Sequence, residues 1–209
     1  MASESEALFE CVSPENEEEK AFMLVYMQIP YAGTELETSR ERTKQASEYL
    51  SAASSAEFEA LKILNRGGCL SCPKIINYKQ EKQNGLGIVP GGYILYIALE
   101  KWPGIRLTRE LFWELPRQER DSTREAFRDA FKSFAEHRVH NFQARTVNLR
   151  WCKEEKRIIV IKFQMSNIRT EKEEWREILW YRWGLAGRPK GWDVTATDGK
   201  KIDEKTWIL

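Results

Sequence analysis

The sequence predicts an α+β fold with a strand-rich first part and a helical second part. Three observations carry that expectation. Residues 22–29 and 93–99 are compact apolar runs closed by Pro30 and by Pro103-Gly104, and both read as buried strands. In residues 118–137, Phe127, Ala130, Phe131 and Phe134 recur at helical spacing with charges opposite, as in a long amphipathic helix. The order of predicted elements is strand, helix, two strands, helices, a hairpin and a last helix, which segregates strands from helices along the chain.

Composition narrows the classes. With 209 residues, 42% of them hydrophobic, and eight tryptophans, the chain can bury a real core in one domain or one two-lobed unit. The 33 basic and 32 acidic residues leave a net charge of +1, so charge gives no reason to expect nucleic acid or an anionic membrane as partner. The first residues are acidic and polar, and no apolar run reaches the roughly 18 residues of a membrane span. A soluble cytoplasmic protein is expected.

The elements follow in order. Residues 8–12 suggest a short strand after a loose acidic start, and 22–29 the first buried strand. Residues 33–50, rich in Glu, Arg, Thr and Ser, read as a polar insertion or a solvated helix. Ser54 and Glu57 have capping-box spacing and predict a helix whose Phe58, Leu61 and Leu64 share a face; Gly67 and Gly68 end it. Cys69 and Cys72 follow. Half a zinc site and a redox pair are the functional readings. Cys11, Cys152, His137 and His140 supply no second ligand pair at a recognised spacing, so the motif reads as a loop closed by Pro73. Residues 74–78 are a candidate strand, 107–115 a short helix, and 147–151 with 157–163 a hairpin turned at 153–156. Thr170 and Glu173 have capping-box spacing and predict a final helix with Trp175, Ile178, Leu179 and Arg182 on one face. Trp175, Trp180, Trp183 and Trp192 either dock a partner or cap the helical part, the cap being the favoured reading, and the tail after Gly187 is expected to be irregular. His137 and His140 have no nucleophile and orienting acid beside them, and read as structural.

Residues 92–166 carry a family resemblance. The run from Gly92 to Gly104 looks like the last strand of a kinase small lobe entering its hinge. Residues 115–127 resemble the helix that follows in small kinase-like proteins of filamentous fungi, distant relatives of protein kinases and of aminoglycoside and choline phosphotransferases. Residues 138–166 have the length and strand pattern of a catalytic loop followed by a metal-binding motif. A looser match upstream includes the helix carrying Glu57 and Glu59 and the Cys72-Pro73 step before the next strand. The resemblance implies a reduced protein-kinase-like two-lobed fold. Residues 1–101 would form a small strand-rich N-lobe with its insertion at about 33–50, and residues 102–209 a shortened helical C-lobe.

Phosphoryl transfer on such a fold needs glycine backbone over the phosphates, a strand lysine, an aspartate beside the acceptor hydroxyl and a metal-binding aspartate. The first glycine is Gly33, after the strand that should carry the lysine, and residues 22–29 contain no lysine; Met27 or Gln28 would stand in its place. Aligning Asn148 with the metal-binding asparagine puts Asn141, Phe142 and Gln143 where His-Arg-Asp is expected, and Lys162, Phe163 and Gln164 where Asp-Phe-Gly is expected. A second alignment starts from His140 and puts His140, Asn141 and Phe142 in the His-Arg-Asp place; under either, no aspartate occurs between Asp129 and Asp193.

The resemblance with these losses implies a pseudokinase-like, non-catalytic binding or scaffolding protein. The alternative is a divergent ATP-dependent phosphotransferase, or a small-molecule-binding domain using the inter-lobe cleft. No catalytic residue and no metal ligand is assigned. The residues expected to line a cleft or meet a nucleotide are Gln28, Glu57, Glu59, Leu99, Glu100, Gln143, Asn148 and Lys162. No cofactor is required, ATP without magnesium being the one nucleotide mode left open, with Lys162 as an ammonium in the place of a metal. The expected partner is another protein.

Overall fold

The computed structural model describes residues 3–16, 18–187 and 208–209 of the chain. It is a mixed α+β protein with antiparallel sheets, dividing into two compact units. The predicted Trp192 and most of the tail after Gly187 lie outside the described residues.

The first unit comprises Met1–Gly68, Pro73–Trp102 and Phe163–Met165. Its sheet is built from β1 (Ser3–Val12), β2 (Lys20–Ile29), β3 (Ile75–Lys82) and β4 (Tyr93–Glu100), in the order β1-β2-β4-β3. β4 alternates strictly: Tyr93, Leu95, Ile97 and Leu99 are buried and their neighbours partly exposed, as a half-buried strand requires. β2 buries Leu24, Tyr26 and Gln28 on the same period. The register sets Glu6 opposite Tyr26 and Glu4 opposite Gln28, so the polar start of β1 shares their face. β1 is therefore twice the strand expected from residues 8–12.

Helix α2 (Ala52–Arg66) covers the inner sheet face with Phe58, Leu61 and Leu64, as the spacing predicts. Its cap is Ser51, whose hydroxyl accepts from the amides of Ala53 and Ser54; Ser54, the expected cap, lies inside the helix. The reason is Glu4. Its carboxylate accepts the Ser54 hydroxyl at 2.5 Å and the Ser51 hydroxyl at 2.8 Å, which fixes both serines beneath β1. Gly68, at φ +71°, ends the helix in a conformation that suits glycine. The polar segment 33–50 forms only the short α1 (Ser39–Thr43).

The second unit comprises Cys69–Cys72, Pro103–Lys162 and Ser166–Leu209. It contains β5 (Ile105–Arg106), α3 (Arg109–Glu114), α4 (Arg117–Glu136), β6 (Val139–Asn141), a 3-10 turn (Thr146–Asn148), β7 (Leu149–Cys152), β8 (Arg157–Val160), β9 (Ser166–Ile168) and α5 (Ile178–Arg182). β5, β7 and β8 form one small sheet, and β6 pairs with β9. The α4 face carrying Phe127, Ala130, Phe131 and Phe134 is buried and packs on β8.

The helix predicted to begin at Thr170 is absent from residues 169–177; only Ile178–Arg182 is helical. Tertiary contacts take the residues that would have formed it. The Glu173 carboxylate lies 3.0 Å from Nδ1 of the buried His140. The Trp175 ring meets Phe131 edge-on at 5.5 Å and Trp180 at 5.6 Å. Trp183 tilts against Phe127, so the described tryptophans of this cluster do cap the α4 face. Among the described residues no helix is long and apolar enough to cross a membrane.

Candidate functional site

Two polar centres contain four of the eight residues expected to line a site, namely Glu57, Gln143, Asn148 and Lys162. The first lies in the first unit, under its sheet. Tyr26 points inward because it shares the parity of Leu24 on β2, and Glu57 faces it from α2. The Tyr26 hydroxyl donates to Glu57 Oε2, and the Phe163 amide donates to Glu57 Oε1 at 3.2 Å. The Gln164 amide nitrogen donates to the Tyr26 oxygen at 3.2 Å and to Glu6 at 2.6 Å. Beside this group, Glu4 accepts from Ser51, Ser54 and Tyr93.

The electrostatics follow from enclosure. Glu57 is 1% exposed, and its two donors are neutral. Burial pushes its carboxyl up to about 7; the Tyr26 and Phe163 hydrogen bonds pull the other way without offsetting it. Burial, and then the Glu57 charge, hold the Tyr26 phenol far above its usual value. A carboxyl at about 7 has the acidity of a general base at neutral pH. Each of its oxygens, however, already accepts a hydrogen bond.

The second centre lies in the second unit. The Asn141 side chain donates to the Lys162 carbonyl at 2.7 Å and accepts from the Gln143 amide at 2.9 Å. The Asn148 side chain donates to the Gln143 carbonyl at 3.0 Å, and its own carbonyl accepts from the Ile161 amide. Two asparagines thus tie the loop 141–148 to the segment after β8 through main-chain groups. Burial pulls the Lys162 ammonium down to about 8.

The other predicted residues lie apart from both centres. Gln28 is fully buried and its amide is spent on the main chain: it donates to the Gln45 carbonyl at 2.7 Å and accepts from the Ser47 amide at 2.8 Å. That anchors the polar segment 33–50. Gly92 is needed beside it, because a Cβ there would lie 2.5 Å from Gln28 Oε1. Leu99 is core. Glu59 is exposed and pairs with Lys62 at 2.5 Å, one turn along the helix, and Glu100 is exposed near Lys74.

Tyr26, Glu4 and Glu6 are not among the residues the sequence assigns to a site, and Gln164 enters there only in the expected Asp-Phe-Gly position. Parity was the available signal for Tyr26, since a residue two positions from Leu24 faces the same way and Met27 faces the other. Among the described residues no group of three or more His, Cys, Asp or Glu side chains is arranged to hold a metal ion. No protein-family model matches the chain, and no curated protein matches it by sequence.

Proposed function

We propose that the chain is a pseudokinase-like, non-catalytic binding or scaffolding protein on a reduced kinase-like fold, acting through another protein in the cytoplasm. The observation that carries this reading is the Tyr26–Glu57 pair. In protein kinases a strand lysine is held by a helix glutamate and meets the nucleotide phosphates. Here the helix glutamate is taken by a phenol, which holds its proton far above neutral pH and so brings no positive charge to a phosphate.

Further support comes from element order. Strands β1 and β2, helices α1 and α2, strands β3 to β5, helices α3 and α4, and later the β7–β8 hairpin succeed one another, an order compatible with the resemblance. Gln143, in the position expected for the catalytic base, has a neutral amide with no basicity near neutral pH, and Lys162, in the position expected for the metal ligand, brings an amine in place of a magnesium-binding carboxylate. On this reading no cofactor takes part, and a nucleotide that binds does so without magnesium.

Thermal denaturation with ATP, with and without magnesium, together with an ATP-turnover assay, tests the reading. The expected result is no turnover and no magnesium-dependent rise in Tm. Magnesium-dependent turnover that disappears in Asn148→Ala would overturn it in favour of a divergent phosphotransferase.

A further inference from the structure

Cys69 and Cys72 sit in the short segment of the second unit between Gly68 and Pro73, and both are free thiols. Three features set this pair apart from an ordinary loop. First, the segment is fixed from both sides. The Ser71 carbonyl accepts from the Val160 amide of β8 at 2.9 Å, and the Leu70 carbonyl accepts from the Arg157 guanidinium. Second, donors converge on one sulfur. The Ser133 hydroxyl of α4 donates to Cys69 Sγ at 3.3 Å, and the Ser71 amide and the Cys72 thiol also hydrogen-bond to it. The Cys72 thiol lies 3.6 Å from the Cys69 carbonyl oxygen as well; its one hydrogen serves the sulfur better once that sulfur is an anion. Third, both cysteines are covered while a residue between them reaches solvent. Cys69 is 5% and Cys72 3% exposed, whereas the Leu70 side chain is exposed.

The structure assigns this pair, we infer, as a dithiol site that reduces a hydroperoxide, with Cys69 as the attacking sulfur and Cys72 as the resolving one. The Cys69 thiolate attacks the terminal peroxide oxygen. An S–O bond forms, the O–O bond breaks, and the leaving oxygen takes a proton to depart as an alcohol, or as water when the oxidant is hydrogen peroxide. Cys69 is then a sulfenic acid. The Cys72 sulfur gives up its proton and attacks Cys69 Sγ. The S–S bond forms, the S–O bond breaks, and the hydroxide takes that proton and leaves as water. Two thiols and one hydroperoxide become one disulfide, one alcohol and one water. An external dithiol reverses the change by exchange.

The acidity agrees with the geometry. The Cys72 hydrogen bond, then those of Ser133 and the Ser71 amide, and last the charge of His137 at the end of α4, lower the Cys69 thiol to about 6, against the opposing effect of burial. Arg157, on the Leu70 carbonyl, is the other charged group holding the segment. Cys152 is the built-in contrast: it is buried in β7, and burial pushes its thiol up.

The test uses the full chain, native and reduced, with hydrogen peroxide as probe. Intact mass should fall by about 2 Da, the two thiol hydrogens, with the cross-link mapped to the peptide holding residues 69–72 and reversed by dithiothreitol. In Cys72→Ser, dimedone should label Cys69 at least about 10-fold faster than Cys152. The pH profile of the native reaction should move upward in Ser133→Ala, a variant checked by circular dichroism for an unchanged fold. The inference fails if Cys69 and Cys72 stay reduced, if Cys11 or Cys152 oxidises first, or if the native rate is no greater than that of the urea-unfolded chain. An unmoved profile in Ser133→Ala overturns the assigned role of the α4 hydroxyl.

Discussion

Glu57 in the first unit and Arg124 in the second are each almost fully enclosed, yet they are held in opposite ways. Glu57 receives a phenol and a main-chain amide, both neutral. Arg124, 2% exposed, donates to the Asp121 carboxylate at 2.5 Å and to the Leu185 carbonyl at 2.7 Å, with its guanidinium 5.4 Å from the centre of the Phe112 ring. Burial lowers Arg124 only to about 10, so it stays charged at neutral pH, whereas burial lifts Glu57 to about 7, into the range where it exchanges its proton. Burial is the largest cause in both cases, and the outcome differs because an arginine starts far above neutral pH and a carboxyl well below it. The Asp121 charge beside Arg124 further favours its charged form, whereas both donors to Glu57 are neutral.

The largest effect expected from breaking this comparison is at Arg124. Arg124→Ala removes a packed side chain and leaves the Leu185 carbonyl without its donor, at about 4 kcal/mol. Urea unfolding should show it as a lower midpoint, with little change in its dependence on pH between 5 and 8.

Glu57 comes next, and its sign is the reverse of a surface carboxylate's. Its folded pKa lies above its unfolded value, so its contribution is fully present below the unfolded pKa and is lost as pH rises through about 7. The loss should total roughly 3 kcal/mol between pH about 4.5 and 7. Glu57→Gln should flatten that fall. A wild-type urea midpoint that does not move across this window would remove the contrast with Arg124.

Tyr26→Phe sharpens the same point. It deletes one donor to the carboxylate, at about 2 kcal/mol above neutral pH, where Glu57 is charged. Because the Tyr26 hydrogen bond lowers the Glu57 pKa, the pH profile of stability should shift upward in this variant. The smallest effect belongs to Glu59, on the same helix but exposed. Glu59→Gln breaks its pair with Lys62 and should change stability by less than about 0.5 kcal/mol.

The same residues show how far sequence carried the fold. The β2 and β4 runs and the α4 stripe were legible because their apolar residues repeat at the period of the element that buries them. The cap of α2 was not, since Ser51 and Ser54 are equivalent by type and Glu4, nearly fifty residues away, engages both. The helix expected from Thr170 failed for a similar reason: capping-box spacing is a local signal, and His140 with the aromatic cluster holds Glu173 and Trp175 instead. Of the site residues, Glu57 was legible on its helix, whereas its phenol partner Tyr26 lies one or two positions before Met27 and Gln28, where the resemblance puts the strand lysine.

By itself the sequence determined the α+β class, the positions of the buried strands and the long helix, and which charged and glycine residues are missing from 22–29 and from the stretch after Asp129. These depend on composition and short-range periodicity, which a linear reading contains. Only the tertiary structure decided what surrounds each ionisable group: Tyr26 and Phe163 on Glu57, Asp121 and Leu185 on Arg124, Ser133 on Cys69. Most of those partners lie tens of residues apart in the chain, and acidity depends on distance and burial in space, which spacing along the sequence does not contain.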